Sequence, residues 1–343
     1  MLPVVLLGLF VTGCHVVADN NSQPSPREID IKDKIDGVAF VSPPGVIGER
    51  EIGFIKTSNA DWVQFIPYAY SRPNKTSVSY GSGWQWWGER PEGIRKMVRA
   101  AKAHGLKILL KPHVWIGGKG WAGTYTHKNE ADWKAWAESY RAYVMEFAEM
   151  AEEEQVDMLC VGTELKQITI DYPDFFGWLA DSVRSVFSGK VTYASNWDNY
   201  QNLKFWDKMD YIGVDGYFPL LEDKTPKVNE LVKAWESEKK KLKTVHEQYK
   251  KPILFTEWGY LSVDQSGWRT WELEASLGDR ELNMEAQANC YEAFFKALWG
   301  EPWFAGGFAW QWYAEHPQAG GMRNKDHTPQ NKPAMEVMRE AYE

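Results

Sequence analysis

The stretches VGTEL (Val161–Leu165) and FTEWGY (Phe255–Tyr260) each close a short apolar run with a glutamate. Apolar runs of this length are typical of strands that are buried on both faces, as in a parallel sheet. The two glutamates are Glu164 and Glu257. A glutamate at the end of a buried strand is costly unless it is paired or used in chemistry. The two stretches therefore predict parallel strands whose ends carry functional side chains.

Eight runs of this kind occur along the chain, and segments with helical periodicity separate most of them. The predicted strands are Ile35–Ser42, Trp62–Tyr70, Lys107–Trp115, Met158–Leu165, Val191–Trp197, Tyr211–Phe218, Ile253–Tyr260 and Ala305–Tyr313. The clearest predicted helices are Pro91–Ala103, Ala131–Glu154, Phe175–Phe187, Val228–Tyr249, Glu285–Leu298 and Ala334–Tyr342. This alternation predicts an α/β fold, a single (β/α)8 TIM barrel over residues 35–343.

The lengths of the connecting segments indicate which end of the barrel carries the site. Links from helix to strand are short, as in Ser188–Lys190, whereas links from strand to helix are long, as in Ser71–Arg90 and Leu261–Met284. Long loops on the face where the strands end are typical of the functional face of a barrel. Glu164 and Glu257, from the fourth and seventh strands, are expected to face each other there.

Two facing carboxyl groups are what cleavage of a glycosidic bond requires. Either glutamate alone is more simply explained as a member of an ion pair, since perturbed carboxylates are often structural. The pair at opposed strand ends favours a glycoside hydrolase.

Tryptophan supports this interpretation, because flat apolar rings at a cleft stack on the C–H faces of sugars. The chain has 19 tryptophans, most of which are expected to be core residues. Six lie in long loops on the predicted functional face and are candidate sugar platforms: Trp84, Trp86, Trp87, Trp121, Trp268 and Trp271.

Composition and motifs argue against several other function classes. The net charge of −8 argues against a nucleic-acid partner, which would require basic patches. The seven histidines and three cysteines show no zinc-binding spacing, and the glycines lack the context of a phosphate loop. We therefore predict no cofactor and no metal.

Three further segments point to a family. KPHVW from Lys111, SNWD from Ser195 and DHTPQNKPA from Asp326, together with the two glutamate motifs, resemble glycoside hydrolase family 113 of clan A, whose known members are β-mannanases. The resemblance covers nearly everything from Ile35 onward. It implies cleavage of β-mannosidic linkages in mannan or manno-oligosaccharides, with a β-glycan as the partner.

The resemblance also implies a retaining double displacement, with Glu164 as the general acid/base and Glu257 as the nucleophile. Such a mechanism places the carboxyl groups about 5–5.5 Å apart, and an inverting enzyme holds them further apart. One residue departs from the clan pattern: many members have asparagine before the acid/base, where this chain has Thr163. Asn196 is a candidate to replace that asparagine at the sugar 2-hydroxyl.

Other strand-end residues are candidates for substrate binding: His113, Asn196, Trp197, Asp215, Tyr217, Trp258 and Trp310. His113 could bond a sugar hydroxyl or orient a carboxylate, or it could be a satisfied core histidine. Asn196 could bond hydroxyls or form a turn beside Asp198. The resemblance implies that Tyr217 bonds the nucleophile and that Trp310 forms the floor beneath the cleaved sugar, with a core role as the alternative for Trp310.

The N-terminus resembles a lipoprotein export signal. Residues 1–13 are apolar and end at Thr12-Gly13, directly before Cys14. This predicts a signal peptide, lipidation of Cys14, a tether over residues 14–34 and a location at the bacterial cell envelope. The membrane is expected as a partner only through this anchor. A plain secretory signal or a misplaced start codon are the alternatives. Cys160 and Cys290 are expected to be small buried residues.

Two other functions stay open at this stage. The first is a hydrolase of another β-glycan, such as a glucan or galactan, or an exo-acting mannosidase. The second is a non-catalytic, surface glycan-binding lipoprotein, against which the presence of both glutamates argues.

Overall fold

The computed structural model describes residues 34–118 and 121–343. The predicted signal peptide, Cys14 and all of the predicted tether except Lys34 lie outside the described residues. The lipid anchor and the location at the cell envelope therefore stay predictions. Within the described part of the chain, no helix combines the length and the apolar character that a membrane crossing needs.

Eight parallel strands close a barrel. The described residues form ten strands: β1 (Ile35–Phe40), β2 (Trp62–Phe65), β3 (Tyr68–Ser71), β4 (Lys107–Leu110), β5 (His113–Ile116), β6 (Met158–Thr163), β7 (Lys190–Asn196), β8 (Ile212–Asp215), β9 (Ile253–Trp258) and β10 (Phe304–Trp312). The barrel order is β1-β2-β4-β6-β7-β8-β9-β10, and β10 pairs with β1 to close it. The prediction of a TIM barrel is confirmed.

Helices surround the barrel. They are α1 (Glu49–Gly53), α2 (Pro91–Ala103), α3 (Glu130–Glu153), α4 (Lys166–Asp171), α5 (Phe175–Arg184), α6 (Val228–Tyr249), α7 (Thr270–Ala275), α8 (Met284–Phe294) and α9 (Pro333–Ala341). The predicted bounds of α2 and α6 agree with the structure. Proline at the first position of α2 and Gly105, at φ +70° just beyond it, explain why the ends of α2 were readable from sequence. The three short helices α1, α4 and α7 were not predicted.

Two predicted strands are interrupted at prolines. The runs Trp62–Tyr70 and Lys107–Trp115 each divide, with Pro67 and Pro112 between the two parts. Because proline lacks an N–H donor, it cannot continue a central strand of a sheet. The distal parts, β3 and β5, pair with each other as a separate parallel ribbon in which Tyr68 lies opposite His113. This ribbon builds a wall above the barrel at the ends of β2 and β4.

The core has two layers. Side chains such as Met158 and Cys160 of β6 fill the barrel interior, whereas Leu159 and Val161 of the same strand pack against the helices. This alternation is the two-residue period of a strand. Cys160 and Cys290 are buried free thiols, as predicted.

Candidate active site

The two predicted glutamates lie at the same end of the barrel, where the strands finish, and the charge of Glu257 acts on Glu164. Glu164 directly follows β6 and adopts the left-handed region at φ +52°, with its N–H donating to the Ala194 carbonyl. A non-glycine residue in this region is uncommon, and such conformations cluster at functional sites. The strained backbone therefore marks Glu164 as a positioned group.

A bulge in β9 directs Glu257 into the barrel. Leu254 faces the interior and Phe255 the helices, so regular alternation would turn Glu257 outward. In the pairing with β8, Val214 lies opposite Phe255, and the next residue, Asp215, lies opposite Glu257. Strand β9 therefore has one extra residue at this point. An extra residue of this kind re-aims the side chains that follow it. Both Thr256 and Glu257 consequently contact groups of the interior.

Hydrogen bonds hold both oxygens of Glu257. Lys111 Nζ donates to Oε1 at 2.6 Å, and the Tyr217 hydroxyl donates to Oε2 at 3.0 Å. An ammonium and a hydroxyl aimed at the two oxygens favour the ionised carboxylate. Both oxygens of Glu257 are therefore held in a fixed orientation.

Lys111 is a fully buried cation that joins two carboxylates. Its Nζ lies 2.9 Å from Asp215 Oδ1 as well as 2.6 Å from Glu257 Oε1, and its side chain is 0% exposed. Burial by itself lowers the pKa of Lys111, but the charges of Asp215 and Glu257 raise the pKa above its ordinary value. The lysine is therefore charged at any physiological pH.

Glu164 has the opposite protonation preference. Burial, followed by the charges of Asp215 and Glu257, raises the pKa of Glu164 to about 8. The indole N–H of Trp121 donates to Glu164 Oε2 at 2.8 Å, which opposes this rise. Burial thus favours the protonated form of Glu164 at neutral pH, which is the form that a general acid requires.

A cleft of about 500 Å³ opens at the same end of the barrel, and burial, followed by the charge of Glu257, raises the pKa of Tyr68 in its lining. Its walls come from the ends of β1 and β10, the β3–β5 ribbon and the loop before α2. The lining residues are Val41, Ser42, Tyr68, Tyr70, Trp84, Gln85, Trp86, Glu89, Trp115, Trp310 and Gln311. Aromatic walls with a few polar groups are typical of a sugar-binding cleft.

Comparison with known proteins agrees with this geometry. The model of Glycoside Hydrolase Family 113 matches residues 47–332. The chain belongs to glycoside hydrolase family 113.

Solved structures of family 113 enzymes are similar over nearly the whole chain. The β-mannanase AaManA from Alicyclobacillus acidocaldarius, in complex with ManMIm, is 25% identical, with a TM-score of 0.76 over 90% of this chain and 97% of that chain. A second structure, of a GH113 β-1,4-mannanase complex, is 24% identical, with a TM-score of 0.76 over 90% and 99% of the two chains.

More distant structures share the fold alone. A fungal β-1,4-galactanase is 13% identical, with a TM-score of 0.56 over 88% of this chain and 99% of that chain. No curated protein matches the chain.

In this family 113 chain, Tyr217 contacts the predicted nucleophile and Trp310 lines the cleft. Tyr217 bonds Glu257 as described above. Trp310 ends the inner face of β10, remains partly exposed and lines the cleft, so it is placed to form a floor. The peptide bond between Trp310 and Gln311 is cis.

His113 lies among aromatic rings beside the site. Its ring is 5.4 Å from Tyr68 and is stacked at 5.8 Å on Trp115. Burial, and then the charge of Lys111, lowers the pKa of His113 to about 4. The imidazole is therefore neutral at physiological pH, as a group that bonds sugar hydroxyls would be.

Asp215 and Trp258 correct the prediction. Asp215 is 1% exposed and accepts from Lys111 and Thr256, so it holds the lysine instead of a sugar. Trp258 is also 1% exposed and stacks on Phe294 at 3.9 Å, in the layer between barrel and helices. The bulge that turns Glu257 inward turns Trp258 outward, so Trp258 as a substrate-binding residue is wrong.

The end of β7 takes the turn role that the sequence left open for Asn196. The Asn196 side-chain oxygen accepts from the Trp197 N–H at 2.8 Å, and its carbonyl accepts from the Asn199 N–H. Trp197 is partly exposed and stacks on Trp271 at 5.6 Å. These two rings form an aromatic surface that is separate from the cleft lining.

Sequence reasoning missed Lys111, Tyr68 and the bond from Trp121 to Glu164. Lys111 carried a signal: it is a charged residue inside the apolar run KILLKPHVW, and a lysine in such a run is buried only when paired. Tyr68 depends on the strand break, for which Pro67 was the signal. The bond from Trp121 depends on a loop conformation and carried no signal. In the described ranges, no cluster of three or more metal-ligating residues is present.

Proposed function

We propose that this family 113 glycoside hydrolase cleaves β-mannosidic linkages in mannan or manno-oligosaccharides by double displacement, with retention at the anomeric carbon. The observation that carries the proposal is the pair of unlike glutamates. Lys111 and Tyr217 donate to the two oxygens of Glu257 and orient it as the nucleophile, and burial keeps a proton on Glu164. This is the division of roles that the retaining mechanism needs.

In the first step, a Glu257 oxygen forms a bond to the anomeric carbon while the bond from that carbon to the leaving oxygen breaks. The proton of Glu164 passes to the leaving oxygen, so the aglycone departs as a neutral alcohol. Glu257 becomes a neutral ester and Glu164 becomes a carboxylate. The negative charge has moved from one glutamate to the other.

The second step reverses the roles. Because the charge of Glu257 contributes to the raised pKa of Glu164, formation of the ester lowers that pKa. Glu164 then takes a proton from water as the water oxygen bonds to the anomeric carbon and Glu257 leaves. The site returns to its starting charge.

Lys111 acts on the nucleophile throughout. Its ammonium is buried between the carboxyl groups of Asp215 and Glu257, and formation of the ester removes the charge of Glu257 while Asp215 still bonds the lysine. A fixed, buried cation stabilises the negative charge of the nucleophile without reorganisation during the reaction. We assign Lys111 as a positioning residue for Glu257.

The proposed substrate, mannan, is inferred from the similar solved structures. Two similar structures are those of β-mannanases of the same family, and one of them holds ManMIm. We propose a neutral β-mannan as the substrate by extension from these proteins.

The test is release of reducing sugar by the full chain from mannan, glucomannan, cellulose and galactan, with Glu257→Gln as the inactive variant. We expect hydrolysis of mannan that falls by at least about 1,000-fold in the variant. A matched control is Glu292→Gln, which removes an exposed carboxylate paired with Lys296. Hydrolysis of galactan or cellulose but not of mannan would overturn the substrate, and full activity of Glu257→Gln would overturn the mechanism.

A further inference from the structure

A buried carboxyl group lies in the cleft and has no part in the two chemical steps. Glu89 is 7% exposed and contributes to the cleft lining, which contains neither Glu164 nor Glu257. A buried carboxyl group is costly unless it is bonded or meets a ligand. Its position in a sugar cleft therefore calls for a functional explanation.

Neighbouring polar groups hold Glu89 from one side. The Tyr70 hydroxyl donates to Glu89 Oε2 at 3.0 Å, and Gln85 Nε2 lies 3.5 Å from the same oxygen. Gln85 is itself fixed, because its Nε2 donates to the Tyr68 carbonyl and its Oε1 accepts from the Ser82 N–H. The carboxyl group is thus oriented before any ligand arrives.

The backbone around Glu89 is equally fixed. Trp87 N–H and Gly88 N–H donate to the carbonyls of Pro44 and Pro43, which tie this turn to the segment after β1. A side chain at Gly88 would lie 2.3 Å from the Pro43 ring, so glycine is required for this close approach. A rigid support of this kind is what a recognition residue needs.

Exposed aromatic rings surround the carboxyl group. Trp84, Trp86 and Trp115 expose 64, 50 and 53% of their surface, although large apolar side chains are ordinarily buried. Three such rings at one cleft mark a ligand surface. Rings provide stacking on sugar faces, and a carboxylate accepts hydrogen bonds from two adjacent hydroxyls.

The position of the cleft indicates which part of the glycan it takes. Glu164 protonates the leaving oxygen, so the aglycone lies on the side of Glu164 and of Trp121, which bonds it. Neither of these residues lines the cleft, whereas Trp310, the candidate floor beneath the cleaved sugar, does. Its occupant is therefore on the glycone side of the cleaved bond.

We propose that Glu89, with the rings of Trp84, Trp86 and Trp115, forms a subsite for the second sugar on the glycone side, in which the Glu89 carboxylate accepts hydrogen bonds from the sugar hydroxyls. Among the described residues that line the cleft there is no lysine or arginine, so the subsite takes a neutral sugar and disfavours a uronic acid. This assignment rests on the proposed function and names the residue that recognises chain length.

The test compares two substrates with one leaving group, an aryl β-mannoside and the corresponding aryl β-1,4-mannobioside. Only the second places a sugar in the subsite. In the wild type, kcat/KM is expected to be higher for the bioside. In Glu89→Ala, the ratio of kcat/KM for the bioside to kcat/KM for the mannoside is expected to fall about 10- to 100-fold, which is the range for loss of hydrogen bonds to a charged group. In Glu89→Gln this ratio is expected to fall less. Glu92→Gln, an exposed carboxylate three residues on, is the control.

The outcomes separate the two proposals. If the wild type hydrolyses neither substrate, the proposed function fails. If it hydrolyses both and Glu89→Ala and Glu89→Gln keep the wild-type preference, the subsite is overturned while the proposed function stands. Thermal unfolding of each variant excludes loss of fold as the cause. In the wild type, β-1,4-linked mannobiose is expected to inhibit at least about tenfold more strongly than the corresponding dimannuronate. Equal inhibition would overturn the preference for a neutral sugar.

Discussion

Replacement of Lys111 by methionine removes the cation that joins Asp215 and Glu257 while keeping most of the side-chain volume. The Nζ atom lies 2.6 Å and 2.9 Å from the two carboxylate oxygens, with no exposure. At an effective dielectric constant of about 20, Coulomb's law assigns about 6 kcal/mol to each contact. Desolvation of the three charges offsets much of this. The net cost of removing one partner from a buried ionic network is about 3–5 kcal/mol.

The stability lost in Lys111→Met is expected to depend on pH in a way that identifies its cause. In Lys111→Met the two carboxylates face each other without a cation, so one of them takes up a proton at low pH and relieves the repulsion. The deficit in the free energy of unfolding is therefore expected to be larger at pH 8 than at pH 5. We also expect kcat/KM on mannan to fall at least about 100-fold, with the acidic limb of the pH–rate profile moved to higher pH.

Denaturant unfolding and the pH–rate profile measure these effects, with Lys134→Met as the exposed control. The double variant Lys111→Met/Asp215→Asn leaves only the Glu257 carboxylate, so the repulsion between two carboxylates is removed. Part of the lost stability should therefore return, with a coupling energy of about 1–3 kcal/mol between the two substitutions. If Lys111→Met has wild-type kcat/KM and a free energy of unfolding within about 0.5 kcal/mol of the wild type, the reasoning is refuted.

Three further predictions test the surroundings of the site. Trp121→Phe removes the donor that lowers the pKa of Glu164, so the alkaline limb of the pH–rate profile should move to higher pH by about 0.5–1 unit. The control Trp178→Phe replaces a tryptophan of α5 that is 49% exposed, and should leave this limb unchanged. Glu164→Gln should raise the Tm at pH 8 by more than about 2 °C but not at pH 4. The pKa of this carboxyl group rises from about 4.3 in the unfolded chain to about 8 in the fold, so the folded protein is destabilised as pH rises through that range. Glutamine does not ionise and removes this destabilisation. A higher Tm at pH 4 alone would contradict the raised pKa. Trp258→Ala should cost about 3–5 kcal/mol of stability, because the ring stacks on Phe294, and should leave KM near the wild-type value; a KM effect without a stability loss would return Trp258 to the site.

Strand positions and the identity of both glutamates were accessible from sequence because they depend on local pattern. The apolar runs and the short links at one end define where each barrel strand finishes, and a polar residue at that position must lie at the functional face. Helix α2 was equally readable, since Pro91 begins it and Gly105 follows it. Local chemistry decides these features, so a single sequence contains them.

The orientation of individual side chains was not accessible in the same way. A strand pattern cannot show the bulge that turns Glu257 inward and Trp258 outward, because the bulge depends on pairing with β8. The partners of Lys111 come from β8 and β9, more than a hundred residues further along the chain. The prolines Pro67 and Pro112, by contrast, were visible signals of the strand breaks, and giving them their full weight would have divided both strands.

The anomeric configuration of the first product tests the central claim most directly. Proton NMR during the first minutes of mannan hydrolysis records the new reducing end before mutarotation equalises the two anomers. Two displacements at one carbon, through the ester on Glu257, predict a β product. An α product would mean direct attack by water, and would contradict the assignment of Glu257 as the nucleophile.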